Sequence, residues 1–74
     1  MATAATVQEL KAAGQGAFTI DGAKIKVLDW PKARAAADTL AWTVAFSPSD
    51  EARHLAAWLI RKLAFEAGNG PASV

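Results

Sequence analysis

Ala17-Phe18-Thr19-Ile20-Asp21-Gly22-Ala23-Lys24-Ile25-Lys26-Val27-Leu28 is the stretch that decides how this chain folds. Asp-Gly is a preferred dipeptide for a two-residue type I′ turn, and here it separates two runs of alternating apolar and polar residues. The reading is a β-hairpin with Asp21-Gly22 as its loop, pairing Ile20 with Ala23 and Phe18 with Ile25. Phe18, Ile20, Ala23, Ile25 and Val27 then share one side, while Thr19, Lys24 and Lys26 face solvent. A lone two-stranded hairpin is marginal in water, so its apolar side requires helices to lie on.

The flanking sequence supplies them. Thr6-Val7-Gln8-Glu9 is a capping box, in which hydroxyl and carboxylate satisfy each other's backbone amides, and it predicts a helix over about 7–13. Gly14 and Gly16 close that helix through the left-handed conformation glycine tolerates. Asp29-Trp30-Pro31 ends the second strand and opens a helix over about 31–46, with residue 30 biased towards an extended conformation. Ser47-Pro48-Ser49-Asp50 reads as an N-cap serine, a proline at the first position and an acid at the third. It opens a helix over about 48–67 that stops at Gly68. The fold class predicted is therefore α+β: a short N-terminal helix, a two-stranded antiparallel β-hairpin, then two α-helices joined by a tight turn. So short a connection allows either an antiparallel helical hairpin or a sharper corner, and the sequence does not choose between them. The 74 residues suit a single small domain, with an ordered core over about 6–67 and a flexible tail from 68 to 74.

Composition narrows the function classes. Of the 53% hydrophobic residues, 19 are alanines, leaving 20 bulky apolar side chains for an interior. Alanine contributes helix propensity and little burial, so the isolated fold is expected to be marginal and helped by self-association or a protein partner. Eight Lys and Arg against seven Asp and Glu give a net charge of +1, far from the dense basic stripe of a polyanion binder. The absence of cysteine excludes disulfides and thiolate metal sites. No positively charged start precedes an apolar run, and no apolar run is long enough for a membrane span. A cytoplasmic protein without membrane association is expected, or a virion component if phage-encoded.

On the third helix Ala52, Leu55, Ala56, Leu59, Ile60, Leu63 and Ala67 form the expected core stripe, while Trp58 and Phe65 fall opposite, beside His54, Arg61 and Lys62. On the second, Ala33, Ala36, Ala37, Leu40 and Val44 form a stripe suited to close approach, with Trp42 and Phe46 on another side. Aromatics beside arginine have hot-spot composition, so Trp42, Phe46, Trp58, Phe65 and Arg61 are the candidate protein-interface residues. The alternative is that the hairpin and the first helix, with Val7 and Leu10, cover these stripes.

Catalytic constellations are sparse. His54 is the one histidine, too few for a zinc site without cysteine. Asp50 and His54 lie four apart near Ser47 and Ser49, but serine and aspartate there are helix-start residues, and so small a chain hardly encloses an oxyanion pocket. Gly14-Gln15-Gly16 precedes a strand and is no phosphate loop. No catalytic residue, cofactor or metal is assigned.

The order of short helix, tight hairpin and helix over residues 6–46 resembles the layout of small phage head–tail joining proteins, from which the strong third helix departs. The expected function is a small non-catalytic interaction or assembly module: a phage or mobile-element protein, an inhibitor docking on a host complex, or an accessory subunit. One alternative is a helix-turn-helix-like DNA-binding regulator, disfavoured by the charge balance and by Asp50 and Glu51 at the start of the would-be recognition helix. Another is the N-terminal non-catalytic piece of a larger enzyme.

Overall fold

A computed structural model describes residues 3–69. Its elements are α1 (Val7–Ala13), β1 (Phe18–Asp21), β2 (Lys24–Val27), α2 (Trp30–Phe46) and α3 (Asp50–Asn69), the α+β order that the sequence predicts. The two long helices pack as an antiparallel helical hairpin, and α1 and the β-hairpin pack against them.

In α1, Thr6 is the N-cap: its Oγ1 accepts from the Glu9 amide at 3.1 Å. The reciprocal arm of the capping box lands one residue early, because the Glu9 carboxylate accepts from Ala5 N–H at 2.6 Å and not from Thr6. At the other end, Gly14 has φ −90° and is not left-handed; the positive φ of +80° belongs to Gly16. Gly14 is required for a different reason. A Cβ there would stand 2.5 Å from Cζ of the Phe18 ring, so only glycine lets that ring lie against the end of α1.

The strands pair Phe18 with Val27, Thr19 with Lys26, Ile20 with Ile25 and Asp21 with Lys24, so the loop is Gly22-Ala23, one residue later than predicted. Gly22 has φ +62° and no residue other than glycine has positive φ among the described residues, Ala23 included, which is the sign pattern of a type II′ turn with glycine first, instead of the type I′ turn expected. Moving the loop by one residue shifts the pairing by two and leaves every strand residue on its original face. Phe18, Ile20, Ile25 and Val27 still share the apolar side, and Ala23 leaves it for the exposed turn. Phe18 and Ile25 are buried, whereas Ile20, nearest the tip, is exposed.

The helix α2 begins at Trp30, one residue before the predicted start. Extended Asp29 caps it, its carboxylate accepting from Lys32 N–H at 3.1 Å. Its inward face is Ala33, Ala36, Leu40 and Thr43, with Val44 turned out to solvent. Thr43 replaces the expected Val44 because its hydroxyl is doubly satisfied: it donates to Thr39 C=O at 2.7 Å and accepts from the buried Ala4 N–H at 3.0 Å. That bond ties the segment ahead of α1 to the last turn of α2.

The turn between α2 and α3 also differs from expectation. Ser47 is the buried C-cap of α2, its N–H donating to Thr43 C=O at 3.0 Å, and it is extended, as a residue before proline prefers. Ser49 takes the N-cap role, its hydroxyl accepting from Ala52 N–H at 3.1 Å and its carbonyl from Arg53 N–H at 3.0 Å. Arg53 closes the turn by donating to Ser47 C=O and pairing with the Asp50 carboxylate. Gly68 and Asn69 continue α3 instead of opening a tail, and the remainder of the expected flexible tail, 70–74, lies outside the described residues.

The core cluster has eleven residues, of which five are Ala4, Ala17, Ala33, Ala36 and Ala56, so the bulky interior is Leu10, Phe18, Ile25, Leu40, Leu59 and Leu63. Two substitutions at glycine should move stability in opposite directions in urea or thermal unfolding. Gly14→Ala drives a methyl group into the Phe18 ring and should cost about 1–3 kcal/mol, whereas Gly68→Ala meets open space in a helix and should gain up to about 1 kcal/mol. Thr43→Val keeps the shape but orphans the Ala4 amide, and the same measurement should show a loss of about 1–3 kcal/mol.

Candidate protein interface

Of the five interface residues drawn from the sequence, the structure brings Trp42 and Phe46 into contact. Trp42 and Phe46, one turn apart on α2, stack with ring centroids 5.1 Å apart and planes inclined by 29°. Trp42 is half-buried and Phe46 is 65% exposed. At 100° per residue, Trp42 lies about 160° around α2 from Leu40, through which the helix enters the core, so the pair projects from its outer flank. Trp58 packs partly on the core with the Lys62 ammonium 5.7 Å from its ring centre, a cation–π contact. Phe65 is 64% exposed and about 160° around α3 from buried Leu63. Arg61 is exposed on α3.

The structure also shows a surface that the sequence reading passes over. Trp30, Ala33, Arg34 and Ala37 of α2 and Ile60, Leu63, Ala64 and Ala67 of α3 line a groove of about 250 Å³. Arg34 is its one charged lining residue. The signal was in the sequence: the proposed α3 stripe from Leu55 round to Ile60 spans about 140°, more than one neighbouring helix covers. Trp30, Ala37 and Ile60 are only partly buried, and Ala64 and Ala67, of which Ala67 was expected in the core, are exposed. Trp30 had been read as a boundary residue; its ring also packs against the core cluster.

The Ser/Asp/His grouping at the start of α3 is taken up by structure. Ser47 Oγ accepts from Ser49 N–H at 3.2 Å, Ser49 caps the helix, and Asp50 pairs with Arg53. His54 is exposed. A broad basin of about 530 Å³ between the end of α1 and β1 is lined by Lys11, Ala12, Gln15, Gly16, Phe18, Thr19, Ile20 and Leu59, which include no carboxylate or imidazole. Among the described residues no three His, Cys, Asp or Glu cluster in a metal-binding arrangement, and no helix is long and apolar enough to cross a membrane. Comparison with protein-family models, curated proteins and solved structures gives no match.

Proposed function

We propose that this chain is a non-catalytic interaction or assembly module that docks on a protein partner or on itself. The observation that carries the reading is the stacked Trp42–Phe46 pair, held on the outer flank of a rigid helix with the Phe46 ring largely in water. A rigid, pre-ordered aromatic pair offers large contact area at small entropic cost, which is the composition of an interface anchor. Ile20, Leu28, Val44 and Phe65 are further large apolar side chains left exposed, as a core with six bulky members dictates. A phage or mobile-element protein, an inhibitor of a host complex and an accessory subunit would all use such a surface.

Phe46→Glu tests this. The side chain is exposed, so unfolding stability should change by no more than about 1 kcal/mol, chiefly the lost stacking on Trp42. Self-association in sedimentation velocity, or co-purification with a defined partner from the native host, should be abolished. A wild-type chain that stays monomeric and retains no partner through Phe46 would overturn the reading. Retention of nucleic acid that weakens steeply with salt would put DNA binding in its place.

A further inference from the structure

We infer that the outer edge of β1 pairs with the same edge of a second copy of this chain, closing a four-stranded antiparallel sheet across a two-fold axis. The inference concerns a different surface from the Trp42–Phe46 pair and does not depend on docking through it.

The strand register decides which backbone groups are free. Leu28 N–H donates to Ala17 C=O at 2.8 Å, so Ala17 and Leu28 form a hydrogen-bonded pair. Hydrogen-bonded pairs alternate along an antiparallel ladder, which makes Thr19–Lys26 and Asp21–Lys24 the next two. Phe18 and Ile20 therefore turn their N–H and C=O groups away from β2. Phe18 N–H is taken by Gly14 C=O at 3.2 Å. Phe18 C=O and both backbone groups of Ile20 have no partner among the described residues. Beside them lies the basin of about 530 Å³ that separates β1 from Lys11, Ala12, Gln15 and Gly16. A further strand would stand ~4.8 Å from β1, in that open space. The Ile20 side chain, 44% exposed, is the apolar residue left uncovered on this strand.

The same groups select the occupant and its register. Because Phe18 N–H is already engaged, the antiparallel pairing that works sets Ile20 opposite Ile20 of the second copy, where each donates to and accepts from the other. The two exposed isoleucines then lie side by side on one face. The charged residues of the two strands are Asp21, Lys24 and Lys26. In the β1–β1 pairing Asp21 falls opposite Thr19 of the other copy, so no like charges meet. A β2–β2 contact through Ile25 would instead set Lys24 against Lys26, or Lys26 against itself, and lysines directly opposite one another repel. The β1 edge is thus the one able to pair with itself, and the dimer leaves the lysine-bearing β2 edges on the outside. A β1–β2 contact between copies would suit the charges too, but it leaves a β1 edge open at every step and grows without closing.

A four-residue strand makes a small interface, so the dimer is weak and belongs to concentrated solution, towards the millimolar range. Sedimentation equilibrium of the Phe46→Glu variant, in which docking through that ring is removed, isolates the strand contact. It should show a monomer–dimer equilibrium, with amide shifts that move with concentration centred on residues 18–22. Ile20→Lys, at an exposed position, should abolish the dimer while leaving the fold intact by circular dichroism. Thr19→Glu separates the two pairings, since residue 19 meets Asp21 across a β1–β1 contact and Lys26 across a β1–β2 contact. The substitution should weaken the dimer about fivefold. Absence of a dimer throughout that range, a dimer indifferent to Ile20→Lys, tightening by Thr19→Glu, or growth beyond a dimer would each overturn the inference. None of these outcomes touches the reading built on Phe46, which stands or falls on association that the wild-type chain shows and the Phe46→Glu variant loses.

Discussion

The Phe18 ring resting on the backbone of Gly14 is the contact from which the rest of the architecture follows. With no Cβ at Gly14, the ring reaches the end of α1 and is buried there, which sets the distance and angle between the first helix and the β-hairpin. The hairpin cannot hold itself together in water, so its second buried residue, Ile25, has to find α3. Thr43 completes the same unit from the other side by holding the Ala4 amide against α2. Three short elements are thereby bound to one face of two long helices.

That arrangement has a consequence for the opposite face. A two-layer domain buries each helix along one stripe, but α2 and α3 carry apolar residues around more of their circumference than one stripe uses. Close approach through Ala33, Ala36 and Ala56 consumes little area, since alanine has little to bury. The bulkier residues left over, Trp42 and Phe46 on one flank, Phe65 on another and Trp30 and Ile60 in the groove, stay wholly or partly in contact with solvent. Alanine at the seam and aromatics on the rim amount to a scaffold whose free surface is larger and more apolar than its interior requires.

The loop error in the β-hairpin is instructive because it did no harm. Pairing about Asp21-Gly22 and pairing about Gly22-Ala23 both place Phe18, Ile20, Ile25 and Val27 together, since side-chain direction alternates with period two and the register differed by two. The helix boundaries, by contrast, depended on competition between near-equivalent caps. Ser47 and Ser49 both suit an N-cap, and the decision fell to Ser49 because Ser47 was already buried as the end of α2. Thr43 over Val44 is the same kind of decision: hydrophobicity favours valine inside, but the buried position also has to receive a backbone amide from 39 residues away.

Local chemistry therefore determined the elements and their order: Thr6 and Asp29 as caps, Gly22 in the turn, alternation in the strands and a three-to-four spacing in the helices are all satisfied by neighbours within a few residues. The long-range relations belonged to the tertiary structure, namely that α2 and α3 run antiparallel and that Trp30 and Ile60 share a groove. The reason is that an amphipathic pattern states which side of a helix avoids water without naming the neighbour that covers it. A stripe wider than one neighbour stays ambiguous until the layers are stacked and one of its edges is left outside.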